Sequence, residues 1–253
     1  MKNAYVKTLT GISYVGMVAV NFMANSLPIN GQLTGAIADR YENLFVPAAQ
    51  AFSIWGLIYF LLGAYVLYNF LNHTVKTEAL FQKINPIFFA TSLANISWIF
   101  AWHYDRIIFS TFIMATLLFL LVKIANIISS EQCSFIQNIF IRAPFSIYFS
   151  WIVVASIANI VVFLVSIGWD RFGISESLWT SIILLFGTMI SIFLMLKDRN
   201  IFYGQVSMWA YGWILFKHLS PNGFAAQYPS IIATVLICLF LDLFFMIRMV
   251  YRK

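Results

Sequence analysis

Three stretches of this 253-residue chain put aromatic rings and amides on one helical face. Phe52, Trp55 and Tyr59 stand at i, i+3 and i+7, a single stripe of an α-helix. Asn95, Trp98 and Trp102 repeat that spacing, and Tyr148, Trp151, Ala155 and Asn159 extend it by a turn. Tyr14, Asn21 and Asn25 form a further stripe near the N-terminus. An unpaired amide in hydrocarbon costs several kcal/mol, so Asn95 and Asn159 are expected to point inward. Two readings fit such stripes. In one, asparagines glue helices together and rings fill the gaps between them. In the other, the rings line an internal cavity whose few amides orient a flat, largely apolar ligand. No carboxylate lies on these three faces, which argues against a proton or cation pathway through them.

The elements that carry the stripes follow from composition. Hydrophobic residues make up 62% of the chain and charged residues 9%, against about 25% charged in a soluble domain. That leaves too little polar surface for a water-facing globule, and it excludes a soluble enzyme, a nucleic-acid-binding domain and a disordered chain. A helix needs about 20 apolar residues to cross the hydrocarbon core. Runs of that kind lie near 8–27, 47–71, 85–102, 107–128, 144–168, 178–196, 201–218 and 230–250. The seventh is the weakest, diluted by Gly204, Gln205, Ser207 and Gly212. Strands are excluded, because the runs are long and lack period-two alternation. The expected fold is therefore an all-α, polytopic transmembrane helix bundle.

Charge placement supports eight spans. The N-terminus and the even-numbered loops hold eleven of the fifteen basic residues, including Lys2, Lys76, Lys83, Lys197, Arg199, Arg252 and Lys253. Arg40, Arg106, Arg171 and Lys217 belong to the odd-numbered loops. The positive-inside rule then puts both termini in the cytoplasm. Lys2 and Lys7 ahead of an apolar run also resemble a signal peptide, but the run exceeds an h-region and Ala24-Asn25-Ser26 is a poor cleavage site. The first helix is expected to stay as an anchor. Cys133 and Cys238 form no CxxC pair and point to neither a metal site nor a disulfide framework.

Two further features invite a role. The segment from Pro28 to Val46 is the longest outer loop, carries Leu33, Ile37, Tyr41 and Leu44, and ends at Pro47. Long loops among short ones are often functional, and this one is either a lid over the bundle or plain surface. Asp242 is the one clear acid within a span. It is either solvated near the interface or paired with a basic or amide group from another helix.

On these residues the chain resembles a known family. Pro47-Ala48-Ala49-Gln50-Ala51-Phe52-Ser53-Ile54-Trp55-Gly56-Leu57-Ile58-Tyr59, Asn95-Ile96-Ser97-Trp98, and Tyr148-Phe149-Ser150-Trp151 with Ala155 and Asn159 are similar to the second-, third- and fifth-helix motifs of the tryptophan-rich sensory protein family, TspO/MBR, which includes the mitochondrial translocator protein (peripheral benzodiazepine receptor). Ala48, Gln50 and Ile147 depart from the family pattern, which has Pro, Trp and Pro there. The resemblance covers roughly residues 1–168. It implies a five-helix TspO/MBR-like core at 1–168 and a three-helix membrane extension at 169–253, where only Trp209 and Trp213 stand out. It also implies binding of a porphyrin- or haem-type or lipid-like flat ligand by Phe52, Trp55, Tyr59, Asn95, Trp98, Tyr148, Trp151 and Asn159. The protein would act as a sensor or carrier that needs no cofactor.

The expected partners are the bilayer, a small hydrophobic ligand and a second copy of the chain, in a bacterial plasma membrane. The competing reading is a transporter or permease subunit built on eight spans, which wants intramembrane charge or interrupted helices in matched halves. A retinal protein has only Lys217 to offer, at a helix end. An enzyme would need a nucleophile–base pair or a metal cluster, and none is visible. The topology is testable directly: a reporter fused after Lys253 should be active only in the cytoplasm. Activity on the outer side would mean a miscounted span, the seventh first of all.

Overall fold

The computed structural model describes residues 2–71 and 74–251, with side chains from residue 5 onward. Of the charges that set the topology, the side chain of Lys2, and Arg252 and Lys253, lie outside the described residues. Among those residues every regular element is helical, and eight helices have 18 or more residues. They are α1 (Lys2–Ser26), α2 (Ile54–Leu71), α3 (Val75–His103), α4 (Ile107–Ser129), α5 (Ala143–Ser166), α6 (Glu176–Asp198), α7 (Phe202–Leu219) and α8 (Pro229–Tyr251). Only helices and closed barrels satisfy every backbone group without water, and these apolar runs take the first route. All but α7 lie in segments long and apolar enough to cross a membrane. At 18 residues α7 spans about 27 Å, close to the hydrocarbon thickness of about 30 Å.

The helix positions follow the apolar runs, with one clear difference. α3 begins at Val75, ten residues before the apolar run near 85, and carries Pro86 inside it. Its first turns are polar and held by ion pairs: Lys7 to Glu78 at 2.7 Å and Lys83 to Glu131 at 2.8 Å. The Lys83 ammonium also holds the Glu131 carboxyl below its ordinary value. Hydropathy marks only the part of a helix in hydrocarbon, so a polar first turn goes unseen. α5 is approached through a short capped turn: Gln137 donates its N–H to Ser134 Oγ, and Ser134 donates its own to Gln137 Oε1. This capping box leads through a π-turn at Asn138–Arg142 into α5.

The chain forms two compact units. The first comprises the chain up to Ile37 and Ile54–Ile152; the second comprises Ala38–Ser53 and the chain from Val153 onward. In the first, Tyr65 packs edge-on against Phe81, Phe88 and Phe145, at ring separations of 5.7, 5.6 and 4.8 Å. Its hydroxyl donates to Asn85 Oδ1 at 2.6 Å. Gly63 on α2 lets α1 come close, because a Cβ there would lie 2.6 Å from the Tyr14 hydroxyl. That hydroxyl donates to the Tyr59 carbonyl at 2.8 Å.

In the second unit α8 packs on α6 and α7. The expected basic or amide partner of Asp242 is not what the fold supplies. Ser191 donates to Asp242 Oδ1 at 3.1 Å, and Ser207 also hydrogen-bonds the carboxylate. Small hydroxyl residues line this seam because they let helices approach closely. Asp242 is fully buried, which removes the solvated alternative within the described residues.

Gly187 marks a close approach of α7 to α6. A Cβ there would meet the Tyr211 hydroxyl at 2.5 Å and Ile157 at 3.4 Å, and that hydroxyl donates to the Leu184 carbonyl at 2.8 Å. Gly187→Val should therefore cost about 1–3 kcal/mol, as overpacking does. Tyr211→Phe should cost about 1 kcal/mol, for one hydrogen bond. Thermal unfolding in detergent measures both, and an unchanged midpoint for Gly187→Val would contradict the close approach.

Candidate ligand site

The first unit brings together five of the residues singled out by spacing. Trp55 on α2 is the hub. Tyr59, one turn on, stacks on it at 5.4 Å, while Tyr148 and Trp151 of α5 meet it edge-on at 5.9 and 6.3 Å. Offset and edge-to-face arrangements at these separations are what aromatic quadrupoles favour. Asn95 of α3 supplies the amide of this group, with its Nδ2 3.4 Å from Tyr148 Oη, to which it donates. Its Oδ1 accepts from Asn21 Nδ2 at 2.7 Å. Asn21, Asn95 and Tyr148 thus form a continuous polar thread across α1, α3 and α5, and all three are buried.

The remaining candidates are placed differently. Trp98 is buried, but the ring it stacks on is Trp102 of its own helix, at 5.5 Å. Its Nε1 has no hydrogen-bond partner. The Tyr59 hydroxyl is likewise buried beside Asn95 without a hydrogen bond of good geometry. Phe52 lies in the 3-10 turn Ala49–Ser53, and Asn159 is buried in the second half of α5. Both of those belong to the second unit.

The loop between α1 and α2 is fastened at both of its ends, and these contacts escape a reading of spacing. In the first unit His103, at the end of α3, donates from Nδ1 to the Ile29 carbonyl at 3.1 Å, because a carbonyl only accepts. Its Nε2 lies 3.0 Å from Thr34 Oγ1. Trp102 Nε1 donates to the Thr34 carbonyl at 3.1 Å, and Asn30 Nδ2 donates to the His103 carbonyl at 3.0 Å. In the second unit the loop is tied to α7. Lys217 pairs with Asp39 at 2.8 Å, His218 Nε2 donates to the Leu44 carbonyl at 2.9 Å, and Trp209 Nε1 donates to the Ala51 carbonyl at 3.0 Å. Asn43 closes the turn, its Oδ1 accepting the N–H groups of Phe45 and Val46. The available signal was a run of polar residues (Asn30, Thr34, Asn43) opposite helix ends rich in Trp and His.

The arrangement offers a cluster of ring faces and edges, an amide thread beside it, and one buried donor, Trp98 Nε1, without a hydrogen-bond partner. Such a set can hold a flat apolar body and hydrogen-bond an acceptor on it. Comparison with known proteins gives one positive finding: the family model described as TSPO-like protein matches residues 7–248. No curated protein and no solved structure matches the chain. The match runs through residues 169–248, where motif comparison finds no signature.

The amide thread can be tested by a double-mutant cycle on Asn21→Ala and Asn95→Ala. Interhelical hydrogen bonds in membranes couple by about 0.6 kcal/mol on average and about 1.7 at most. Each single variant should lower stability in mixed micelles, and the pair should fall short of additivity by an amount in that range. Strict additivity would show that the two amides do not act together.

Proposed function

Because this chain belongs to the TSPO-like protein family, we propose that it is an integral membrane protein that binds a flat hydrophobic ligand, of porphyrin or lipid-like chemistry, as a sensor or carrier. The observation that carries the reading is the Trp55 hub. One indole is approached by Tyr59, Tyr148 and Trp151, over a buried Asn21–Asn95–Tyr148 thread. Rings of this kind give a large contact area at low cost in rotamer entropy. The unused Trp98 Nε1 adds a donor for an acceptor group on the ligand. We assign binding to the first-unit residues Trp55, Tyr59, Asn95, Trp98, Tyr148 and Trp151, and leave 169–253 as a membrane extension.

Both termini are proposed to face the cytoplasm of a bacterial cell, which requires the short α7 to cross the bilayer. The competing reading, a transporter or permease subunit, draws on a single feature: an acid buried in the membrane-spanning part of α8.

Tryptophan fluorescence of the purified protein, titrated with a panel of porphyrins, tests the leading reading. Trp151→Ala should weaken binding by about two- to twelvefold, since buried aromatic stacking is worth about 0.5–1.5 kcal/mol. Saturable quenching that Trp151→Ala leaves unaltered would remove this cluster from the site. Absence of saturable quenching across the panel would remove porphyrins as the ligand class.

A further inference from the structure

α6, α7 and α8 of the second unit gather hydroxyl groups around a single acid. Asp242 has 0% exposure and stands near the middle of α8 (Pro229–Tyr251), about 13 Å along the axis from its nearer end. Ser191 of α6 donates to its Oδ1 at 3.1 Å, and Ser207 of α7 also hydrogen-bonds the carboxylate. Its Oδ2 is buried and has no partner. The titratable groups that face it are Tyr211 of α7 and Cys238, one turn away on α8; α6 contributes Thr188 and Ser191 instead. Among the described residues no Lys, Arg or His pairs with it.

A charge in this position needs compensation. Desolvating a carboxylate costs several kcal/mol even after relaxation, and lipid supplies no counter-ion. The helix cannot help, because every mid-helix N–H is already donated along its own backbone. The Ser191 hydroxyl satisfies Oδ1 and Ser207 also hydrogen-bonds the carboxylate, yet Oδ2 has no partner of good geometry. If packing were the only task, an amide or a hydroxyl would serve without that cost, since intramembrane acids are expensive and mark ion or proton sites. The charge is single and the neighbours are oxygens, which suits a hard cation of charge one.

We propose that Asp242, with Ser191 and Ser207, is an intramembrane site for one monovalent cation, either a sodium ion or a proton. The site lies wholly in the second unit and does not depend on the ligand reading for the first.

The experiment treats the full-length protein in detergent with dicyclohexylcarbodiimide, an apolar reagent that attacks carboxyl groups in apolar surroundings, and maps the adduct by peptide mass. Asp242 should be modified at neutral pH in choline chloride. If the cation is sodium, sodium chloride at ten times its Kd should slow the modification about tenfold by mass action. Ser191→Ala should weaken that protection. If the cation is a proton, sodium should have no effect and alkaline buffer should stop the modification. Either result upholds the site. Two results overturn it: no adduct on Asp242 from acidic to alkaline pH, or an adduct whose rate ignores both sodium and pH. Asp242→Asn identifies the adduct peptide, but the wild-type rates decide the question even if that variant fails to fold.

Discussion

A membrane interior contains no water to stand in for a missing partner, so each polar atom there must be satisfied by the protein itself. The ways in which this chain meets that demand organise the structure. Hydroxyls return to their own helix: Thr10 donates to the Val6 carbonyl at 2.8 Å, Ser92 to that of Phe88 at 3.0 Å, and Thr188 to that of Leu184 at 3.0 Å. Each of these bonds closes within a single helix. An amide has two donors and an acceptor, more than one helix turn can absorb. Asn21 donates both to Met17 of its own helix and to Asn95 of another. A mid-helix carboxylate finds no donor on its own backbone at all. The acid therefore reaches furthest: Asn21 joins two helices, whereas Asp242 draws on three.

The same demand explains why the aromatic cluster and the polar thread coincide. Tyr148 is both a ring against Trp55 and a hydroxyl against Asn95. Its two faces of chemistry join the apolar hub to the thread without leaving a polar end exposed. Glycines set the spacing that makes this affordable in volume. At Gly63 and Gly187 a neighbouring tyrosine hydroxyl occupies the place of a side chain and reaches a backbone carbonyl beyond.

How much of this the sequence discloses depends on whether a property is local. Helix existence is local, and apolar runs disclose it. The first ten residues of α3 are not disclosed, because Lys76, Glu78 and Lys83 break the apolar run while leaving the helix intact. That Asn95 needs a partner is legible from its chemistry; that the partner is Asn21 is not, because periodicity fixes a face and not the face opposite. Trp98 illustrates the limit. Its spacing from Asn95 is helical, yet its stacking partner is Trp102 on the same helix rather than a ring of α2 or α5. Phe52 and Asn159 continue two of the stripes, and no count of residues reveals that both belong to the other compact unit. For Asp242 the need for a partner was legible, while its answer in serines rather than a base or an amide depends on which small residues two distant helices bring forward.

The fastening of the loop between α1 and α2 bears on how the protein is made. Ala51 accepts from Trp209 across 158 residues, Leu44 from His218 across 174, and Asp39 pairs with Lys217 across 178. A ribosome adding about 5–20 residues per second takes roughly ten to thirty seconds to reach α7 after the loop has emerged. For that interval Ala38–Ser53 has its own turns but none of the α7 partners that later hold it. The second unit cannot close until nearly the whole chain is inserted, whereas the first has all its strands of sequence by Ile152. Biogenesis thus has a built-in order, with the aromatic cluster assembling early and the half-tethered loop waiting on the last helices.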